Sequence, residues 1–208
     1  MAYDLEEQEQ IDEFKVWWKT YGNIVLLVVA VALATFSGIQ GWKYYQHRQA
    51  LLASTQYEAL SQADAKDLKL IRSISAELMD KFSGTAYAGR AALIVAKANY
   101  VANDSKSAKA QLDWAWKNAQ EEPIKAIAQL QLAAMQLEEK QYDEALKILA
   151  EKHDPGFDGL FADLKGDILA AQGKKTEAKA AYQEALTKLD DSGHYHHFTA
   201  HKLEALGS

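Results

Sequence analysis

Residues 22–41 read Gly22-Asn23-Ile24-Val25-Leu26-Leu27-Val28-Val29-Ala30-Val31-Ala32-Leu33-Ala34-Thr35-Phe36-Ser37-Gly38-Ile39-Gln40-Gly41. No charge occurs from Asn23 to Gln40. As a helix such a run covers about 30 Å, the thickness of a bilayer's hydrocarbon core. Its flanks suit the headgroup zones. Phe14, Trp17, Trp18 and Tyr21 precede it, and Trp42, Tyr44 and Tyr45 follow. Amphipathic aromatics gather at that depth. Lys15, Lys19, Lys43 and Arg48 can snorkel outward at the two ends. The stretch therefore predicts one membrane-spanning helix, residues 22–42, in contact with the lipid bilayer.

A cleaved signal sequence is the competing reading, and Ala32-Leu33-Ala34 resembles a small-residue cleavage site. The segment before the apolar run argues against it. It carries Asp4, Glu6, Glu7, Glu9, Asp12 and Glu13 against two lysines, where a signal needs a short basic start. A buried soluble helix fits less well still, because the run lacks a polar face. Residues 1–21 are thus expected to form an acidic tail, and residues 43–208 the folded domain.

The chain from Tyr44 onward is long enough for one domain with a real core. It holds 20 Lys and Arg against 23 Asp and Glu. A mildly acidic domain without a basic block predicts no nucleic-acid partner. The chain has no cysteine, so disulfides, thiolate metal sites and cysteine nucleophiles are excluded. Counting Lys and Arg beside the span gives a tie, Lys15 and Lys19 against Lys43 and Arg48. Charge alone leaves the orientation open.

The domain reads as all-α. Its two prolines, Pro123 and Pro155, fall between helical patterns. Apolar residues recur at helical spacing: Ile71, Ile74, Leu78 and Phe82; Ala91, Ile94, Val95 and Ala98; Ala108, Leu112, Ala115 and Ala119. Then come Ile127, Leu130, Ala134 and Leu137; Tyr142, Ala145, Leu146 and Leu149; Phe161, Leu164 and Ile168; and Ala178, Ala181, Tyr182, Ala185, Leu186 and Leu189. Short polar loops between such stripes mark stacked antiparallel helices. Ala108, Ala145 and Ala178 each open the second helix of a pair, 37 and 33 residues apart. That is close to the ~34-residue tetratricopeptide period. In 160–189, Gly166 sits where the first helix must approach its partner, and Gly173 at the turn where positive φ is useful. The pair at 126–152 has Lys140 in place of that glycine. The pair at 89–119 rests on the period and Ala108. Helices near 49–62 and 67–82 add a divergent pair, and 194–206 caps a tetratricopeptide-like helical-repeat solenoid.

No phosphate-binding loop, nucleophile elbow or zinc-protease motif occurs. His194, His196, His197 and His201 form the one cluster of ligand-type residues. His197 and His201 stand at i, i+4, but no third ligand is spaced to complete a metal site. A solvated terminal helix is the reading adopted, so no catalytic residue, metal or cofactor is expected, and the chain is read as a non-enzyme. Trp114 and Trp116 cannot share a helix face. One is expected in the core and the other on a groove or a partner surface. With Tyr100, they are the expected partner-binding residues, because large aromatics often dominate interfaces.

The layout resembles the ancillary SecYEG translocon subunit family. The resemblance rests on the acidic tail, Tyr21-Gly22-Asn23, Gly41-Trp42-Lys43-Tyr44-Tyr45 and Thr85-Ala86-Tyr87-Ala88. Above all it rests on Ala162-Asp163-Leu164-Lys165-Gly166-Asp167 followed by Gln172-Gly173-Lys174. It implies a cytoplasmic tail at 1–21, a single inner-membrane helix and a periplasmic repeat domain. It also implies association with the SecYEG translocon and with a membrane-anchored periplasmic chaperone of the prolyl-isomerase type. The expected function is an adaptor that helps pass emerging proteins to periplasmic chaperones. The alternative is a membrane anchor that acts through its tail on a cytosolic stress-response regulator.

Overall fold

The computed structural model describes residues 2–207, with side chains from Gln10 onward. Every regular element among them is helical. Helix α1 covers Ala2–Gln62, followed by α2 (Leu68–Lys81), α3 (Ala86–Val101), α4 (Ser105–Asn118) and α5 (Glu122–Glu138). Then come α6 (Tyr142–Ala150), a 3-10 turn at Pro155–Phe157, α7 (Asp158–Ala171), α8 (Lys175–Lys188) and α9 (His194–Ala205). The chain divides into two units, Met1–Arg48 and Gln49–Ser208.

The first unit is helix alone, long and apolar enough to cross a membrane. Ile24, Leu26, Leu27, Val28, Val31, Leu33, Phe36 and Ile39 are all exposed. Such a continuous apolar surface suits hydrocarbon, not water. The aromatics at its ends contact one another: Trp17 lies 6.0 Å from Phe14 and from Tyr21, and Trp42 lies 5.8 Å from Tyr45, between ring centroids. The sequence predicts separate helices at 22–42 and 49–62. They are instead one uninterrupted α1, because neither Pro nor a capping glycine separates them.

In the second unit the expected pairs are α3/α4, α5/α6 and α7/α8, each packed on its neighbours. Ala108, Ala145 and Ala178 are fully buried. The pairs share one turn. Asn103, Lys140 and Gly173 take positive φ, at 59°, 61° and 77°. The next N–H in each case reaches back five residues, from Asp104 to Asn99 O, Gln141 to Gln136 O and Lys174 to Leu169 O, at 2.8–2.9 Å. These are Schellman turns, which satisfy the carbonyls a helix end leaves free.

Counting seven residues back from each turn gives Ala96, Ala133 and Gly166, all buried. Counting nine forward gives Leu112, Leu149 and Tyr182. The pair that uses the bulky Tyr182 uses glycine opposite it. A Cβ on Gly166 would collide with the Tyr182 ring. Fourteen residues before the turns stand Gly89, Ala126 and Gly159. A Cβ on Gly89 would come within 2.7 Å of Ala119, and one on Gly159 within 2.7 Å of Leu189.

One stripe is misread by periodicity. On α5 the predicted Ile127, Leu130, Ala134 and Leu137 are only half-buried, while Ala126, Ala128, Gln129, Leu132, Ala133 and Met135 are buried. Helix α5 touches α3, α4, α6 and α7, so its closest contacts use small residues that a search for bulk passes over. Helix α6 is short. At its C-terminal end the buried Gln129 donates to Ile148 O in the last turn at 2.6 Å and to Glu151 O just past it at 3.3 Å, doing for these carbonyls what a further turn would do.

The end of the stack explains the motif at 162–167. Asp163 and Asp167 lie one turn apart on α7. Lys202 of α9 donates to both, at 2.6 and 2.8 Å. Thr199, 1 % exposed, donates to Asp163 at 2.8 Å, and Tyr182 donates to Asp167 at 2.8 Å. Burial pulls the Lys202 ammonium down, but its bonds to Asp163 and Asp167 outweigh it and hold the group above its ordinary value. Burial and Asp167 push the Tyr182 phenol up.

Candidate partner-docking face

An apolar groove of the repeat unit lies between α3 and α5, the first helices of successive pairs. It encloses about 420 Å³, within the usual size of ligand sites (roughly 300–1,000 Å³). Leu93, Ile94, Lys97 and Tyr100 form the α3 wall; Gln131, Ala134, Met135 and Glu138 form the α5 wall. The spacing puts each set on one helix face. Ala96 and Leu112 lie beneath. Tyr100 donates to Glu138 Oε2 at 2.8 Å and joins the two walls. That bond raises the Tyr100 phenol above its ordinary value, with help from the Glu138 charge.

Both ends of the groove are held by ion pairs. Arg90 of α3 forks onto Glu121, the residue capping α5, at 2.8 and 2.6 Å. Lys109 of α4 meets Glu139 just past α5 at 2.7 Å. Paired N–H groups fix guanidinium and carboxylate planes together. The first pair ties α3 to the start of α5, and the second ties α4 to its end. The arrangement can grip an apolar segment.

The three residues singled out from sequence do not converge. Tyr100 is in the groove. Trp114 lines a separate cavity with Met79 and Gln111 on the opposite side of α3. Trp116 is half-buried against the main core. Neither tryptophan is fully buried: both pack against the main core, and Trp114 also lines a cavity. Sequence reading missed Leu93, Ile94, Lys97, Gln131 and Glu138. Their signal was the shared turn, which puts equivalent first-helix positions in register.

The histidines lie on α9. His194, His197 and His201 are exposed, and His196 is half-buried, 3.6 Å from Asp191. Among the described residues no three His, Cys, Asp or Glu side chains gather as a metal site.

The chain matches the family described as tetratricopeptide repeat-like domain over residues 15–208. It is 33 % identical over 188 residues to the ancillary SecYEG translocon subunit of Haemophilus influenzae, covering 89 % of this chain and 91 % of that one. The chain belongs to the ancillary SecYEG translocon subunit family. It is also 31 % identical over 215 residues to the Neisseria gonorrhoeae subunit, covering 99 % and 100 % of the two chains. To the Escherichia coli subunit it is 27 % identical over 181 residues, covering 85 % of each. Family membership thus spans the apolar helix and the repeat unit together, and the groove lies inside the matched region.

Proposed function

We propose that the chain is an inner-membrane adaptor that associates with the Sec translocon and works by protein docking, not turnover. Residues 1–21 form a cytoplasmic tail, 22–42 the span, and 43–208 a periplasmic repeat domain. The observation that carries the reading is the apolar α3–α5 groove on a helical-repeat scaffold, in a chain whose relatives are named translocon subunits. Repeat stacks present extended surfaces for such docking. The span supports it too, because a tether raises the effective concentration of whatever the domain holds near the membrane. The groove takes either a translocon component or a membrane-anchored chaperone of the prolyl-isomerase type, and hands emerging chains to that chaperone.

Photocrosslinkers at Leu93, Gln131 and Tyr100, in membranes containing both partners, test this. Capture of a translocon component or such a chaperone is expected. Capture of neither, with a tail deletion that abolishes the cellular phenotype, would move the reading to the regulatory anchor. Protease added to spheroplasts should trim residues 49–208 and spare the tail; a domain protected until detergent is added would reverse the orientation.

A further inference from the structure

We propose a second docking site on the side of α3 opposite the groove: the cavity between α2 and α4 takes an extended polypeptide segment through a lysine or arginine. The cavity encloses about 520 Å³. Val95 and Asn99 line it from α3, while Leu93, Ile94, Lys97 and Tyr100 face the groove. At 100° per residue these sets lie on opposite faces of α3. The two sites therefore do not compete, and this inference does not rest on the groove reading.

The polar groups of the cavity are arranged for a cation beside a peptide carbonyl. Arg72 supplies no free positive charge. Its Nε donates to Asn99 Oδ1 at 2.7 Å and its Nη2 to Asp104 Oδ2 at 2.6 Å. Asn99 is 1 % exposed. With its oxygen held by Arg72, its orientation is fixed and its Nδ2 donor remains for an acceptor in the cavity it lines. Gln111, which lines the same cavity, has its buried Oε1 without a hydrogen-bond partner, and a buried acceptor of this kind is costly to leave unpaired. Asp104 neutralises Arg72, so Asp80, which makes no ion pair among the described residues, leaves the cavity with one net negative charge. An anion is disfavoured there.

The apolar part matches the rest of a basic side chain. Ala76, Met79 and Val95 offer a wall for the methylene stem, and the half-buried Trp114 offers an indole for the head. Long basic side chains bury their stems in this way, and guanidinium and ammonium groups are drawn to indole faces. The backbone carbonyl of the same residue is the acceptor for Asn99 Nδ2. A polypeptide supplies all three features within one residue.

The test titrates the full chain in nanodiscs against fluorescein-labelled Ala-Gly-Ala-Lys-Ala-Gly-Ala and its norleucine counterpart, read by anisotropy. The lysine peptide should bind about tenfold more tightly. Asp80→Asn, at an exposed position, should remove that preference. Ala76→Trp, also at an exposed position, should fill the cavity and abolish binding of both peptides, with circular dichroism confirming the fold. Lys97→Ala, which alters the partner groove, should leave the binding of both peptides unchanged. Equal binding of the two peptides, an unchanged preference in Asp80→Asn, or normal binding by Ala76→Trp would overturn the proposal. So would loss of binding in Lys97→Ala, which would assign the peptide to the groove instead.

Discussion

Gly166 of α7 and Tyr182 of α8 meet face to face, and the tyrosine ring fills the space where any other residue at 166 would carry its Cβ. The two preceding pairs solve the same contact with Ala96 and Leu112, and with Ala133 and Leu149. Glycine with tyrosine and alanine with leucine are thus two fillings of one site, each with its own partition of volume between the helices.

That relationship predicts a compensated double variant. Gly166→Ala should destabilise by about 1–3 kcal/mol, the usual cost of overpacking. Gly166→Ala combined with Tyr182→Leu should recover part of the loss by restoring the filling of the other pairs. Thermal unfolding of the full chain in detergent measures both. A double variant less stable than the sum of the singles would refute the exchange. Ala178→Trp, at a fully buried contact, should unfold the last pair outright.

Lys140 holds the left-handed turn that Gly173 holds in the next pair. A left-handed non-glycine residue costs roughly 1–2 kcal/mol, offset in part by the entropy glycine adds to the unfolded chain. Lys140→Gly should therefore stabilise by about 0.5–1 kcal/mol, and Gly173→Ala should destabilise by a similar amount. Denaturant midpoints at constant slope report both.

The α9 clasp predicts a pH dependence. Lys202 has its ammonium held above its ordinary value by Asp163 and Asp167. A cation whose folded pKa is raised contributes stability that is fully present below its unfolded pKa and lost as pH rises through the folded one. Lys202→Met should lower stability by about 1–2 kcal/mol at pH 7, a figure reduced from the buried-pair range because the side chain is part-exposed. The difference from the unmodified chain should shrink above pH ~10.5. A gap that persists to strongly alkaline pH would mean that Lys202 acts by packing instead.

In the groove, Ala134→Glu should abolish partner capture while leaving melting almost unchanged, because that position is only half-buried. Tyr100→Ala should weaken capture by about 2 kcal/mol, the scale of an aromatic anchor. Loss of the Glu138 bond in Tyr100→Phe should cost little stability, since both residues are exposed. Melting that falls together with capture would show the groove to be a structural seam.

What the sequence made legible followed physical simplicity. The apolar run has no polar face, and the α7/α8 pair carries both a contact glycine and a turn glycine. Those features have few alternative meanings. Helix α5 was harder because four neighbours surround it, and its buried column of Ala126, Gln129 and Ala133 looks neither bulky nor uniformly apolar. The depth of the tryptophans was not legible, because helical spacing fixes relative direction and not burial. The groove escaped because first-helix positions in register hold unlike residues: Ile94 and Gln131 share one column, and Lys97 and Ala134 another. Asp163 turns inward to Lys202, a contact 39 residues away in sequence, which no local pattern announces.

The three Schellman turns are made by N–H and C=O groups alone, around an asparagine, a lysine and a glycine. Repetition in this domain is therefore inscribed in the main chain more firmly than in the side chains. Alphabet can drift at these corners while geometry stays put. A comparison of letters loses the kinship between the pairs first. The surest marker that they are versions of one unit is a backbone angle, which any residue able to bear it will preserve.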